Sequence, residues 1–285
     1  MPPSPAQEIK AIVEDPKSPI SSVTEAQKVQ ERVAIGAKVV YEAIRLEGEE
    51  ELERPAIALA WSALAAGLSM GFSLIAEAAL TSFLPDTPWR PLISRAGYSL
   101  GFLIVILGRQ QLFTENTLTP ILPLLLHKDF ATFGKVLRLW SVVLTANIVG
   151  TFFFALLIGR THFLDPAIQN AMLAISSAHI GPDFWTIALR AVFAGWLIAL
   201  MVWMMPDAAS SRVFIILVST YVISICSFSH IIAGSTNIFY LVVLGKLSLA
   251  RYFTAFFLPT LLGNIVGGVS LVAALAHAQV LGGKK

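Results

Sequence analysis

The sequence predicts an all-α membrane protein with six transmembrane helices, and three observations support this class. Hydrophobic residues make up 56% of the 285-residue chain and charged residues only 13%. The mean hydropathy is +0.74, far above that of soluble globular proteins. Two hydrophobic stretches, in corresponding positions of the two halves, are interrupted by polar strings at 108–117 and 227–237. Broken membrane segments in matching places mark a transport pathway.

The first 53 residues differ from the rest and are predicted to form a cytoplasmic segment with an amphipathic helix. Ser22 and Glu25 have the spacing of a capping box, and apolar residues follow at intervals of three or four. These are Val29, Val33, Ala37, Val40 and Ile44. Because the other face is charged, we expect this helix to lie along the membrane surface or against a neighbouring subunit. The segment has no apolar signal-peptide core, so no cleavage is expected.

Residues 54–280 are predicted to form the transmembrane domain, and 281–285 a short cytoplasmic tail. The predicted crossings are 56–84, 96–126, 133–158, 184–205, 213–244 and 252–276. The second and fifth are broken in mid-membrane. Residues 96–107 alone would form about 18 Å of helix, which cannot cross a hydrocarbon core of about 30 Å, so the helix must resume after its break. The same argument joins 213–228 to 238–244.

The positions of lysine and arginine predict that both termini are cytoplasmic. With the N-terminus inside, thirteen basic residues fall on the cytoplasmic side and five on the opposite side. The thirteen are seven within residues 1–54 together with Lys128, Lys135, Arg138, Arg212, Lys284 and Lys285. The positive-inside rule favours this orientation. The membrane is expected to be the inner (plasma) membrane of the cell.

The two halves of the transmembrane domain repeat each other in sequence. Residues 147–150, Asn-Ile-Val-Gly, recur at 264–267, which is 117 residues later (264 − 147). The breaks show the same spacing, because His230 follows Phe113 by 117 residues (230 − 113). Three crossings per copy is an odd number, so the second copy must be inserted upside down. This predicts a 3+3 inverted repeat in which both breaks point toward the bilayer centre.

These residues resemble the formate/nitrite transporter family of aquaporin-like pentameric anion channels, and within it the YfdC-like branch. The resemblance covers about 54–280. It is carried by Gly101, Leu112-Phe113-Thr114, residues 147–150, Trp203-Met204, Phe228-Ser229-His230 and residues 264–267. It implies a homopentamer with one pore per protomer, which carries small monovalent weak-acid anions.

The resemblance also implies the main pore residues. A central histidine matches His230, and a threonine that hydrogen-bonds near it matches Thr114. Apolar gates fall on Tyr98, Phe102, Leu112 and Ile223, and the first break also contributes Phe113. The alternatives are that His230 is an ordinary hydrogen-bonded bundle histidine, that Thr114 caps the backbone, and that the apolar residues only pack.

Elementary chemistry explains why a titratable group is needed in such a pore. A charge at mid-membrane costs about 3 kcal/mol even on translocon scales, so a narrow apolar pore rejects bare anions. A weak acid that picks up a proton becomes neutral and can pass. Histidine is the natural proton donor because its unperturbed pKa is about 6.5. Backbone N–H groups freed at 112–116 and 231–236 are further candidate donors to the anion.

The remaining candidate residues carry less certain roles. Asn147 and Asn264 either orient substrate or tie the broken segments to neighbouring helices, and the structural role is favoured. His179 falls at the vestibule position where characterised members carry a lysine, so anion attraction there is expected to be weaker or pH-dependent. Cys226, the single cysteine, lies in an apolar run and is expected to pack there.

Three charged residues at membrane depth, Arg109, Glu115 and Arg190, are absent from the family pattern. Such charges should face protein or water. We therefore consider the hypothesis that Arg109 or Arg190 forms an intramembrane ion pair with Glu115.

Two other classes of function were weighed against an anion channel. A neutral-solute facilitator is the first alternative, but the paired Asn-Pro-Ala signature of water and glycerol channels is absent. A non-conducting pentameric scaffold is the second. An enzyme is not expected, because His127, His162, His179, His230 and His277 are too scattered for a metal or catalytic cluster. No cofactor, metal or nucleic-acid partner is predicted; the partners are a small anion, a proton and lipid.

Overall fold

The computed structural model describes residues 5–15, 17–20, 22–30, 36–161 and 163–282. This part of the chain contains helices, short turns and no strand. The helices are α1 (Pro5–Glu14), α2 (Val23–Gln30), α3 (Ala37–Glu53), α4 (Ala56–Phe83), α5 (Arg90–Leu107), α6 (Ile121–His127), α7 (Phe130–Arg160), α8 (Pro166–Ser177), α9 (Phe184–Asp207), α10 (Arg212–Ile225), α11 (Ile231–Val243) and α12 (Leu249–Val280).

Five helices of the described ranges are long and apolar enough to cross a membrane. They are α4, α5, α7, α9 and α12, with 18 to 32 residues each, while α10 and α11 are shorter apolar helices. Their large apolar side chains are exposed over much of the surface, as in Trp61, Phe133 and Phe214. This all-helical architecture confirms the predicted membrane-protein class.

The helix α5 begins six residues earlier than predicted, at Arg90 instead of residue 96. Pro91 lies in its first turn, where backbone N–H groups have no acceptor within the helix, so a proline there costs no hydrogen bond. The 18 residues span about 27 Å at about 1.5 Å per residue, so α5 is much longer than the twelve-residue segment expected. The first break then follows at 108–114, before a single 3₁₀ turn at Glu115–Thr117.

The second break is shorter than predicted and covers only 226–230. Helix α11 starts at Ile231, so most of the polar string to Asn237 is helical. The physical reason is a cap: His230 has an extended backbone, and its Nδ1 accepts the N–H of Ala233 at 3.2 Å. The prediction of free N–H groups as far as residue 236 is therefore wrong. Cys226, expected to pack, is exposed at the end of α10.

The N-terminal residues up to Val39 form a unit of their own. Ser22 caps α2 as predicted, because its Oγ accepts the N–H of Glu25 at 3.2 Å. The middle of the predicted amphipathic helix, including Val33, lies outside the described residues. The later part of the predicted helix corresponds to α3.

Helix α3 packs against its own bundle from Val40 onward. Tyr41 Oη lies 2.8 Å from His277 Nδ1, and Glu49 Oε1 lies 3.0 Å from His127 Nε2. Lys135 also forms an ion pair with Glu53. These contacts bring α3, the α6–α7 connection and the end of α12 to the same end of the bundle. The imidazole of His127 lowers the pKa of the Glu49 carboxyl by hydrogen bonding.

Asn147, on α7, connects the first break to two helices. Its Oδ1 accepts the N–H of Phe113 at 2.9 Å, and its Nδ2 donates to Ala63 O and Gln111 O at 2.7 and 2.9 Å. All four residues lie in the interior. Backbone groups that the broken helix cannot pair internally are thus paired with an amide side chain.

Asn264, on α12, makes the same set of bonds to the second break. Its Oδ1 accepts the N–H of Ile231 at 2.9 Å, and its Nδ2 donates to Ala191 O and Ser229 O at 2.8 and 3.0 Å. Ile231 therefore takes the place of Phe113, 118 residues later (231 − 113). The predicted offset of 117 between the breaks is wrong by one residue, and His230 corresponds to Leu112.

Two glycines allow the asparagine-bearing helices to come close enough for these bonds. A Cβ added to Gly67 on α4 would overlap the backbone oxygen of Asn147, and one added to Gly195 on α9 would overlap that of Asn264. Only a residue without a side chain fits at either contact.

We predict that Asn264→Ala destabilises the folded protein. The substitution leaves the buried N–H of Ile231 and the buried carbonyl of Ser229 without their partner, at about 1–3 kcal/mol for each unsatisfied group. Heating the detergent-solubilised protein, with size-exclusion detection of the remaining assembly, should show a melting temperature lower by several degrees. Asn170→Ala, at an exposed site on α8, is the matched control. Equal melting temperatures for the two variants would contradict the tethering role.

We also predict that Gly195→Ala destabilises the protein while Gly134→Ala does not. The added methyl group at 195 would overlap α12, and such overpacking costs about 1–3 kcal/mol. A methyl group at 134 meets no atom within 4 Å. The same thermal assay measures both, and a stable Gly195→Ala variant would mean that α9 and α12 can separate without loss.

Candidate functional site

His230 and Thr114 meet in the interior, where the two breaks come together. Thr114 Oγ1 lies 2.8 Å from His230 Nε2, and the two side chains are 0% and 1% exposed. Each residue belongs to a different break, and 116 residues separate them along the chain. Asn147 holds the first break and Asn264 holds the second through backbone hydrogen bonds. The position of the His230–Thr114 pair therefore follows from the fold.

The hydrogen bonds of His230 assign its neutral tautomer. Nδ1 accepts the N–H of Ala233, so it carries no proton. The single proton of the neutral ring is then on Nε2, which donates to Thr114 Oγ1. A second proton on Nδ1 would face the Ala233 N–H, so charging the ring requires this cap to open.

An aromatic pair on α5 packs beside His230, with Phe102 in contact with the imidazole and Tyr98 behind Phe102. The Phe102 ring lies 4.9 Å from the imidazole in an edge-to-face arrangement, and Tyr98 lies 5.2 Å from Phe102. They are four residues apart, so they occupy the same face of the helix. Ser73 Oγ donates to the Tyr98 carbonyl at 2.6 Å and fixes this face against α4.

The other predicted gate residues are buried but have different surroundings. Leu112 and Ile223 lie fully inside the hydrophobic core. The Phe113 ring packs edge-to-face on Trp140 of α7, with centroids 5.8 Å apart. Trp140 of α7 therefore supports the first break through the Phe113 side chain, and the Phe113 N–H donates to Asn147. Trp140, which sequence analysis missed, also donates to the Asn116 carbonyl at 2.8 Å.

His179 lies in the turn after α8, beside α11. Its Nδ1 bonds to the Ile175 carbonyl at 3.1 Å, which leaves Nε2 as acceptor for the Asn237 amide at 3.3 Å. It lines a small cavity together with Arg251 and Phe256. Burial lowers the pKa of His179.

The hypothesis of an intramembrane ion pair with Glu115 is wrong. Arg109 pairs instead with Glu47 of α3, at 2.9 Å, and its side chain is 76% exposed. Its backbone is left-handed, with φ of 53°. Within the described ranges, Glu115 and Arg190 form no ion pair.

Sequence analysis also missed the role of Arg95, which it counted only as one of the five basic residues on the side opposite the cytoplasm. The half-buried guanidinium donates to the carbonyl of Ser224 and, at 3.1 Å, to the hydroxyl of Ser227. Both acceptors flank the start of the second break. No local sequence pattern predicts this contact, because 132 residues separate Arg95 from Ser227.

The remaining histidines lie apart from this site. His127 and His277 bond to α3, and His162 lies outside the described residues. In the part of the chain that can be described, no group of three or more His, Cys, Asp or Glu side chains could hold a metal ion.

The chain matches the family model described as formate/nitrite transporter over residues 38–278. It is 41% identical to "Inner membrane protein YfdC" of Escherichia coli over 251 residues, which covers 88% of this chain and 81% of that protein. It is 25% identical to "Formate channel BtFdhC" of Bacillus thuringiensis over 214 residues, covering 72% and 79%.

Solved structures show the same fold. One described as a pentameric formate channel with formate bound superposes with a TM-score of 0.67 at 20% identity, over 79% of this chain and 98% of the other. An ion channel of the same family gives a TM-score of 0.61 at 21% identity, over 84% and 94%. These relatives are channels and transporters rather than enzymes. The chain belongs to the formate/nitrite transporter family.

Proposed function

We propose that this protein carries small monovalent weak-acid anions of the formate or nitrite type through a pore centred on His230, as a homopentamer in the inner membrane. The observation that carries the proposal is the buried contact between His230 and Thr114, which join the two breaks at one point. Family membership supports the class of transport. The relatives named as formate channels support the size and charge of the substrate.

The proposed topology has six crossings, arranged as two inverted copies with breaks in the second and fifth. The repeated asparagine hydrogen bonds support two copies of one design. Both termini are proposed to be cytoplasmic. The shared end of α3, the α6–α7 connection and α12 supports this, because it gathers the basic residues predicted to lie inside.

The mechanism follows from the cost of moving charge past apolar residues. Beside Phe102 an anion has few partners, whereas its neutral acid can pass. The Nε2–H of His230 donates to Thr114 Oγ1, and an arriving anion can take the place of this hydroxyl as the acceptor. An anion at Nε2 favours the charged ring, since opposite charges stabilise each other. The cation requires Nδ1 to gain a proton and release the Ala233 cap, which costs about 1 kcal/mol. Proton uptake is thereby coupled to arrival of the anion.

We expect His230→Asn to reduce formate uptake into proteoliposomes about tenfold or more, which corresponds to about 1.4 kcal/mol in the barrier. Uptake is measured at several pH values for formate, nitrite, acetate and lactate. His127→Asn, at an exposed histidine, is the matched control. If uptake by His230→Asn kept the wild-type rate and pH profile, His230 would have no role in protonation. Water flux without acid flux would favour a neutral-solute facilitator, and no flux of either kind would favour a scaffold.

We expect Thr114→Val to impair uptake and Thr114→Ser to restore most of it. Valine has a similar shape but leaves the Nε2–H of His230 buried without an acceptor, at about 1–3 kcal/mol. Serine retains the hydroxyl. Initial rates of formate uptake at a fixed pH, normalised to reconstituted protein, compare the two. Equal activity of the valine and serine variants would show that shape, rather than the hydroxyl, matters at this position.

A further inference from the structure

We infer that Arg95 is a positioning residue, which holds the second break in shape so that His230 stays in register with Thr114. This inference rests on the proposed function of His230 as the pore histidine. Arg95 lies one turn into α5, and its guanidinium reaches α10 at the point where that helix ends. The distance along the chain between Ser227 and His230 is only three residues.

Backbone conformation shows why the second break needs support. Ser227 has a left-handed backbone, with φ of 54°. For a residue other than glycine this conformation costs about 1–2 kcal/mol, and such strain persists only where the surroundings over-determine it. The hydroxyl of this strained residue is one of the two acceptors of Arg95.

The second acceptor is a carbonyl at the C-terminus of α10. Ser224 O accepts the N–H of Ser227 at 3.0 Å in the turn that follows α10, and a second lone pair of the same oxygen accepts from Arg95. A guanidinium at a helix C-terminus also complements the negative end of the helix dipole. Because arginine presents several N–H groups in a fixed fork, it can join the helix end to the strained residue, whereas a lysine ammonium has no such geometry.

The charged surroundings of Arg95 favour this role. Glu77 of α4 is only 8% exposed, interacts electrostatically with Arg95 and accepts a hydrogen bond from the Ser224 side chain. Among the described residues Glu77 and Arg95 form no direct ion pair, so the carboxyl acts on the guanidinium only at a distance. His179 also lies within electrostatic reach of Arg95 and Arg190.

The first break provides a comparison within the same chain. Its left-handed residue is Arg109, with φ of 53°, and this side chain is held by Glu47 of α3. Each break thus contains one strained residue, and each strained residue bonds to a charged side chain from another helix. In the first break the cation is the left-handed residue itself, whereas in the second break it belongs to α5. Arg95 can therefore be replaced without changing the sequence of the second break.

The native cysteine gives a direct measurement of the break. Cys226 is the single cysteine of the chain, is exposed, and lies beside Ser227. A nitroxide attached to Cys226 in the full-length protein reports on local mobility by its electron paramagnetic resonance spectrum. Formate uptake by the same variants, without label, gives the maximal rate and the half-saturation concentration.

We expect Arg95→Lys and Arg95→Gln to behave alike. In both, the label becomes more mobile, and the maximal uptake rate falls about tenfold, as expected for loss of a charge-assisted hydrogen bond. The half-saturation concentration stays close to that of the wild type. Arg90→Gln removes another cation of α5, one paired with Asp86, and should change neither reading. Ser227→Ala, which removes only the hydroxyl acceptor, should give the same change at smaller size.

Two results would overturn the inference. If Arg95→Lys resembled the wild type and Arg95→Gln only raised the half-saturation concentration, Arg95 would act by attracting anions. If the label stayed immobile in both Arg95 variants, the break would hold its shape without the guanidinium. Should the wild type carry no formate, the proposed function fails, but the label still tests the positioning role.

Discussion

The positions of His230 and Thr114 depend on how the backbone hydrogen-bonding groups of each break are paired. A helix interrupted inside a bilayer leaves N–H and C=O groups that water cannot reach, and each unsatisfied group is costly. Asn147 and Asn264 pair with these groups through one acceptor and one donor arm. The bonds to α4 and α9 then anchor each asparagine to a second helix. The close glycine contacts are part of the same constraint, because they bring the helices within reach.

The two breaks are held by equivalent hydrogen bonds, but the side chains that they carry differ in chemistry. The hydrogen-bond register places Leu112 and His230 in equivalent positions, so one break supplies an apolar side chain and the other an imidazole. His230 serves two purposes, since Nδ1 caps α11 and Nε2 faces Thr114. Its protonation state is therefore linked to the first turn of a helix.

Sequence reasoning predicted the features that depend on local composition or on resemblance. The hydrophobic spans, both breaks and the matching asparagines follow from run length and spacing, and the resemblance placed Thr114 near His230. The start of α5 was missed because Trp89, Arg90 and Pro91 look like a loop, although proline suits a first helical turn. The roles of Arg95, Trp140 and the inner face of α3 could not be predicted, because their partners lie far away in the chain.

The asparagine tethers also bear on how such a protein can diversify. They bind main-chain atoms at Gln111, Phe113, Ser229 and Ile231, so they impose little on the side chains at Leu112 and His230. The asparagine bonds remain when either side chain is exchanged, although replacing His230 also removes the cap of α11. A new selectivity would then require few substitutions and little loss of foldability.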